Sequence, residues 1–364
     1  MTGLPKWADL TLVPLVNVAA AFAIAGLVVL AIGENPWAAT RILLQGSLGS
    51  SEGIGFTLYY ATDFIFTGLC VALAFQAGLF NIGGEGQAYV AGLGAALVCL
   101  HLGFLPGFLL IPLGILAAAL AGAAWAFIPG VLLARRGSHI VITTIMFNWL
   151  ATALMGYLLV NVLREQGSMQ PETRFFPAAA QIPKMADVFA LAGWKISPTP
   201  LNLAFFLALA AAFGMWLLVW RTRLGFAIRT VGASPQAALY GGISPARITI
   251  IVMSLSGALA GGLAVNEIMG VQNRLLLEFT SGYGFVGIAV ALMGRGHPLG
   301  VVLAGLLFGM LYQGGAELAF DKPKITRDMI VVIQGLVVLF AGALEGLFRG
   351  QLAHLFALVR RREA

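Results

Sequence analysis

Long apolar stretches alternate with short polar segments along almost the whole chain. Most of these stretches have the length of a bilayer crossing and lack the period-two alternation of β-strands, which indicates membrane-spanning helices. We predict an all-α polytopic membrane protein in which residues 1–364 form one transmembrane domain. The ten predicted spans are residues 11–33, 58–77, 86–104, 106–134, 140–163, 200–220, 246–266, 281–294, 299–319 and 329–348.

The charges in the connecting segments predict an orientation. If both termini face the cytoplasm, the inside segments hold more than half of the 21 Lys and Arg residues, and most acids lie outside. Basic inside loops are the usual arrangement in membrane proteins. Residues 164–199 then form an external loop, for which the sequence leaves open an ordered cap or a mobile loop. Residues 349–364 form a basic cytoplasmic tail.

The segment 221–247 is a long polar interruption with four arginines and no acid. Ser234 has the side chain of a helix N-cap, Pro235 suits a first helical position, and Gly241-Gly242 can end the helix with left-handed backbone. The pattern predicts a short helix between two spans on the cytoplasmic side. We expect another protein to bind this helix.

Two polar, glycine-rich breaks interrupt the spans. The first, at residues 76–87, has the sequence QAGLFNIGGEGQ; the second, TSGYGF at residues 280–285, leads into the unusually short eighth span. Interrupted helices point to a transport site, because unwound backbone is tolerated at membrane depth where it lines a cavity.

Polar side chains inside the predicted spans are candidates for function because they are costly in a bilayer. For Asp63, an interfacial position and a cavity position are equally compatible with the sequence, and Asn148 can also serve as an interhelical hydrogen-bonding group. Glu85 is the strongest candidate, although a carboxylate at a helix N-terminus is also favoured by the helix dipole. The predicted translocation-path residues are Asp63, Asn81, Glu85, Gln87, Asn148, Asn266 and Glu267.

Composition agrees with a bilayer location, since 60% of residues are hydrophobic and only 10% are charged. The net charge of +6 is explained by arginines on one side of the membrane and does not indicate nucleic acid. Cys70 and Cys99 lie in apolar stretches and are expected to be ordinary buried residues. We find no enzyme or metal motif, and no P-loop for ATP. A transporter with this chain must use an ion gradient or a separate ATPase.

Three sequence blocks resemble the permease subunits of ATP-binding-cassette importers, in the family that includes branched-chain amino acid, ribose and nucleoside permeases. FNIGGEGQ at residues 80–87 is similar to its FNIGxEGQ block, and residues 222–243 are similar to its cytoplasmic coupling loop. YGFVGIAVALMG at residues 283–294, followed by PLG at 298–300, is similar to a third block. The residues of these blocks are most similar to those of the nucleoside and simple-sugar branch. At position 234 this chain has Ser where the family often has Asn, and both residues cap helices.

The resemblance implies a type II-like importer permease of the bacterial cytoplasmic (inner) membrane. Its implied partners are a second permease subunit in a heterodimer or homodimer, an ABC ATPase carrying ATP and Mg²⁺, and an external solute-binding protein. This chain itself would hold no cofactor. Residues 221–247 would couple to the ATPase, with the small side chains fitting its groove, and the expected coupling residues are Gly225, Arg229, Gly232, Ser234, Pro235, Ala237, Ala238 and Gly241.

The cargo expected from the resemblance is a nucleoside, with a simple sugar or a branched-chain amino acid as alternatives. An ion-coupled secondary transporter is a rival from another class, and Asp63, Glu85 and Glu267 would supply its ion site. A membrane scaffold without transport leaves the interrupted spans unexplained.

Overall fold

A computed structural model describes residues 12–336, except 192, 195, 323, 327 and 328. This part of the chain is helical, and its only β-type pairings are two isolated bridges. The helices are α1 Val13–Ala31, α2 Pro36–Leu48, α3 Ser51–Gln76, α4 Gly84–His101, α5 Gly107–Arg136, α6 Ile140–Asn161, α7 Met185–Leu191, α8 Ala204–Arg221, α9 Arg223–Ala233, α10 Pro235–Tyr240, α11 Pro245–Ala264, α12 Tyr283–Met293 and α13 Pro298–Asp321. Residues 265–272 continue α11 as a π-helix.

Six helices of the described chain are long and apolar enough to cross a membrane: α3, α5, α6, α8, α11 with its π-helical extension, and α13. The chain is therefore a polytopic helical membrane protein, as predicted. The first predicted span and the segment after it form α1 and α2, which meet at a bend of 118°. If α1 and α2 together make one span, the number of candidate spans in the described chain rises to seven. Helix α12 has only 11 residues. The last predicted span is described only as far as residue 336.

The chain divides into two compact units. The smaller unit contains residues 1–53 and 310–364, and the larger unit contains residues 54–309. Within the described part of the smaller unit, Gly33 has a φ of +85° and permits the turn between α1 and α2. Lys322 forms an ion pair of 3.1 Å with Glu34 beside that turn. The predicted tail at 349–364 lies outside the described residues.

The core of the larger unit is built on a close crossing of α5 and α11. A Cβ atom placed on Gly122 would lie 2.3 Å from the carbonyl oxygen of Gly257, and one placed on Gly261 would lie 2.9 Å from that of Ala118. The two backbones therefore touch, which is how small residues drive helix association in membranes. The two glycines of Gly257-Ala-Leu-Ala-Gly261 therefore both lie at the contact between α5 and α11.

The long loop between α6 and α8 is ordered where it is described. It contains a 3₁₀ turn at Ala178–Ala180 and helix α7, and it pairs with the end of the π-helix and the segment after it. Phe176 N donates to Asn273 O at 2.7 Å, and Ile182 N donates to Met269 O at 2.9 Å. The described part of residues 164–199 is therefore held by backbone hydrogen bonds, and its external location stays a prediction.

Candidate functional site

The two predicted helix breaks meet at one place in the larger unit. Helix α3 ends at Gln76 and α4 begins at Gly84, while the π-helix ends at Gln272 and α12 begins at Tyr283. A Cβ atom on Gly284 would lie 2.4 Å from the backbone nitrogen of Glu85. The first turns of α4 and α12 are therefore in direct backbone contact.

The Glu85 carboxylate holds this contact together. It accepts hydrogen bonds from Gly284 N at 2.7 Å, from Gly282 N at 3.0 Å and from the Thr280 hydroxyl. The two backbone donors belong to the start of α12, where N–H groups have no partner inside the helix. Glu85 thus lies in the first turn of α4 but caps the neighbouring helix α12, which the sequence pattern did not predict.

Asn148 of α6 forms hydrogen bonds with the backbone at the break between α3 and α4. Its Oδ1 accepts from Gly86 N at 2.9 Å, and its Nδ2 donates to Ile82 O at 3.0 Å. A Cβ atom on Gly86 would lie 2.8 Å from the Cα atom of Asn148, so glycine is needed for this approach. Asn148 therefore satisfies one donor and one acceptor that the interrupted helix leaves free.

A cavity of about 470 Å³ opens beside this junction. Its size is within the range of about 300–1,000 Å³ that is usual for ligand pockets. Trp149 and Phe285 form an open side, with 69% and 47% of their surface exposed. The other lining residues that matter here are Glu85, Tyr89, Asn148, Thr152, Glu278 and Ser281.

The cavity lining is mainly apolar and includes two acidic side chains. Glu85 and Glu278 contribute carboxylates, and no Lys or Arg is among its described lining residues. Tyr89 accepts a hydrogen bond from the backbone N–H of Glu278. Glu278 and Ser281 both have left-handed backbone, with φ of 58° and 48°. Such strain in non-glycine residues is typical of functional segments.

Asn81 and Gln87 lie behind the junction and are not among the described lining residues of the cavity. Their side-chain amides pair with each other, and both hydrogen bonds measure 3.0 Å. Asn81 Nδ2 also donates to the Ser256 hydroxyl at 2.8 Å, and that hydroxyl donates to Cys70 O at 2.6 Å. The group joins the first break to α11 and α3, so the geometry supports a structural role for both amides.

A third group contains Asp63, Asn266 and Glu267. Asn266 Nδ2 donates to Asp63 Oδ1 at 2.9 Å, and Asn202 Nδ2 donates to Asn266 Oδ1 at 2.8 Å. The Tyr59 hydroxyl donates to Glu267. These residues are buried and do not line the cavity at the junction.

The seven predicted path residues therefore fall into three separate clusters, and only Glu85 and Asn148 reach the cavity. Sequence analysis missed several members: Tyr59, Tyr89, Trp149, Asn202 and Ser256, whereas Thr280 and Ser281 lie in the second predicted break. Some are hydroxyl or aromatic side chains that are common in membrane helices, so their residue types carry little signal. Asn202 is a different case. Its side chain accepts from Ala204 N at 2.9 Å at the start of α8, four residues after the predicted start of that span at residue 200.

The segment 221–247 forms two helices rather than one. Helix α10 has the predicted bounds: the Ser234 hydroxyl accepts from Ala237 N at 3.2 Å, Pro235 is the first residue, and Gly242 is left-handed with a φ of +74°. Helix α9 precedes it and was not predicted. Its N-cap is Thr222, whose hydroxyl accepts from Gly225 N at 3.0 Å.

Three of the small residues in this segment face their own chain and not an outside groove. A Cβ atom on Gly232 would lie 2.2 Å from Gln76 O, one on Gly225 would lie 2.1 Å from Leu218 O, and Ala238 is fully buried. This corrects the expectation that they all face a partner. The exposed positions of the segment include Arg229, Pro235, Gln236, Ala237, Leu239, Tyr240 and Gly241.

Comparison with known proteins places this architecture in a family. Residues 53–342 match the family described as the permease component of branched-chain amino acid transport systems. The chain belongs to this permease family. A glucose ABC transporter permease of Haloferax volcanii is 36% identical over 331 residues, covering 90% of this chain and 86% of the relative. No solved structure matches the chain.

Two further relatives are named for nucleosides. A nucleoside ABC transporter permease of Lactococcus lactis is 33% identical over 336 residues, covering 90% of both chains. A guanosine ABC transporter permease of Bacillus subtilis is also 33% identical over 336 residues, covering 91% of this chain and 93% of the relative. The resemblance that the three sequence blocks indicated is thereby confirmed. The family match contains all three structural clusters and the α9–α10 segment.

Proposed function

We propose that this permease forms the translocation path of an ATP-driven importer for nucleosides. The observation that carries the proposal is the cavity where α4, α6 and α12 meet, in a chain whose relatives include nucleoside permeases. Polar residues at membrane depth are costly unless they face a cavity or a partner. The cavity is therefore a better candidate for the path than the apolar outer faces of the helices.

The chemistry of the cavity suits a neutral, hydroxyl-rich solute with an aromatic ring. Trp149 and Phe285 provide flat apolar faces on which a nucleobase can stack, and the two carboxylates and nearby hydroxyls can bind the hydroxyl groups of a ribose. Because both charged lining groups are acids, a phosphorylated cargo is disfavoured. These features support a nucleoside over a nucleotide.

A simple sugar is the second candidate, favoured by the glucose permease relative. The two cargoes share hydroxyl groups and differ in the aromatic base. Uptake of labelled guanosine and labelled glucose should be measured in cells that carry the complete transporter. We expect guanosine uptake that unlabelled nucleosides inhibit and glucose does not; uptake of glucose alone would favour the second candidate.

The substitution Trp149→Ala tests whether the cargo binds in this cavity. Loss of one stacking surface costs about 1–3 kcal/mol, so the KM for guanosine should rise about tenfold. Trp149→Phe keeps an aromatic face and should restore much of the affinity. Tyr157→Ala on the same helix, at an exposed position outside the described cavity lining, is the matched control. An unchanged KM in Trp149→Ala would show that the cavity is not part of the translocation path.

The assembly follows from the same proposal. A second permease subunit, of the same or a different chain, would cover the open side at Trp149 and Phe285. A separate ATPase would bind ATP and Mg²⁺ and contact α10, and an external binding protein would deliver the cargo onto the 164–199 loop. The proposed topology has about ten spans with both termini in the cytoplasm, in a single permease domain of the bacterial inner membrane.

Coupling is assigned to the segment 221–247, whose exposed face is now defined. Leu239 and Tyr240 project from α10, and Tyr240 is 96% exposed. Gly232 contacts the end of α3 directly before the first helix break. A displacement of α9 and α10 would therefore reach the junction of α4 and α12 through α3.

A further inference from the structure

Two carboxyl groups lie in contact inside the larger unit. Asp63 on α3 is 0% exposed and Glu267 on the π-helix is 2% exposed. Asn266, the residue before Glu267, donates to Asp63, and Tyr59, one turn before Asp63 on α3, donates to Glu267, so the two acids lie beside each other where α3 meets the π-helix. Neither is part of the cavity proposed above as the translocation path.

The hydrogen-bond donors around this pair are neutral among the described residues. Asn266 Nδ2 donates to Asp63 Oδ1 at 2.9 Å, and Tyr59 and Gln272 side chains donate to Glu267. The Asn266 amide is itself held by Asn202 at 2.8 Å, which fixes its donor toward Asp63. Asp63 Oδ2 is buried and accepts no hydrogen bond from the described chain.

Two ionised carboxylates in contact repel each other, and burial removes the water that would otherwise stabilise both charges. No Lys, Arg or His hydrogen-bonds to either group in the described structure. A proton between the two carboxyl groups removes one of the two negative charges. It also supplies a hydrogen-bond donor to Asp63 Oδ2, which has none in the described chain. We propose that Asp63 and Glu267 form a proton-binding site that holds one shared proton inside the membrane.

An outer pocket of about 450 Å³ gives this site a route to water. Tyr59 lines the pocket and also donates its hydroxyl to Glu267, so it forms the wall between them. Tyr283 of α12 is the other titratable group that interacts with Tyr59. Lys184 and Asp187, from the loop before α8, are the charged groups in the pocket wall. The proton exchanges with solvent when Tyr59 moves.

The direct test is infrared spectroscopy of the purified full-length permease in detergent at neutral pH. Isotope labelling of aspartate and glutamate with ¹³C separates their bands from those of lipid. The wild type should show the C=O stretch of a protonated carboxyl group, with a shift in D₂O. Asp63→Asn and Glu267→Gln each offer an amide donor to the remaining carboxylate, so both should lose this band.

Asp187→Asn is the matched control, since it removes an exposed acid of the outer pocket and should keep the band. A wild-type spectrum without a protonated carboxyl, or a band that survives in both pair variants, would overturn the proposal. Absence of the band in the wild type overturns the proposal even if a pair variant does not fold. It also needs no cargo, so it is independent of the proposed nucleoside transport.

Thermal unfolding gives a second readout. The folded state holds a proton that the unfolded chain releases at neutral pH, so stability should fall as pH rises. The pair variants should lose this part of the pH dependence, and Asp187→Asn should retain it. Replacing sodium chloride by choline chloride should leave the wild-type Tm unchanged. A sodium-dependent rise in Tm that Asp63→Asn abolishes would replace the proton by a sodium ion and contradict the proposal.

Discussion

The Glu85 carboxylate accepts three hydrogen bonds from the start of a helix that lies almost 200 residues away in sequence. A buried acceptor with several donors is costly to replace, because each donor it leaves unpaired loses its compensation for burial. Glu85 also lines the cavity. Its structural and path roles therefore need separate measurements.

We predict that Glu85→Gln lowers the free energy of unfolding by about 1–3 kcal/mol, because the amide keeps one acceptor oxygen where the carboxylate has two. Denaturant unfolding of the purified permease measures this. Glu278→Gln, an exposed acid in the same cavity, should change stability much less. If the KM for guanosine also rises in Glu85→Gln, the side chain contacts cargo; if only stability falls, it is a helix cap. Unchanged stability would contradict the hydrogen bonds described.

Helix elements depend on glycine where backbones touch. At the α5–α11 crossing, Gly122 and Gly257 face each other without space for a side chain. The chain offers an internal comparison, because a Cβ atom added to Gly156 of α6 would meet no atom within 4 Å apart from its own stretch of helix.

Gly122→Ala should therefore destabilise the permease by about 1–3 kcal/mol, since the added methyl forces two packed backbones apart. Gly156→Ala should be neutral or slightly stabilising, because alanine is the better helix former. The fraction of monodisperse protein after heating in detergent compares the two. Equal losses would mean that the crossing is not close-packed.

The exposed face of α10 carries the second element-scale prediction. Tyr240→Ala should weaken co-purification of the ATPase about tenfold, because truncation of a central interface aromatic costs more than about 1 kcal/mol. Tyr157→Ala, which removes an exposed tyrosine from α6, should leave the association unchanged. Full ATPase retention in Tyr240→Ala would argue against α10 as the contact. Substitutions at Gly232 or Ala238 are poor tests, since both pack against this chain.

At the scale of the whole molecule, the energy source separates the importer from an ion-coupled transporter. In vesicles with the complete assembly, uptake should require ATP and persist when sodium and proton gradients are collapsed. A variant of the partner ATPase that cannot hydrolyse ATP should abolish uptake. Gradient-driven uptake without ATP would favour the rival class. The proton proposed at Asp63 and Glu267 stays bound to the permease inside the membrane. Its presence therefore does not require a proton gradient across the membrane.

Local signals in the sequence determined much of this protein. Apolar length predicted the six long helices, and Ser234, Pro235 and Gly242 predicted α10, because capping depends on residues only a few positions apart. The two breaks were also predicted, since glycine clusters interrupt helices wherever they occur. The family blocks at residues 80–87, 222–243 and 283–300 indicated the permease family before any geometry was known.

Only the tertiary structure decided which of these polar groups meet. Glu85 caps α12 and not its own helix, Asn81 and Gln87 pair behind the cavity, and Asp63 contacts Glu267. Gly232 packs inward although its sequence motif resembles a binding loop. Such contacts join residues from distant parts of the chain and depend on how the helices pack. Because a single sequence gives the period of each helix and not the rotation of one helix against another, it cannot specify them.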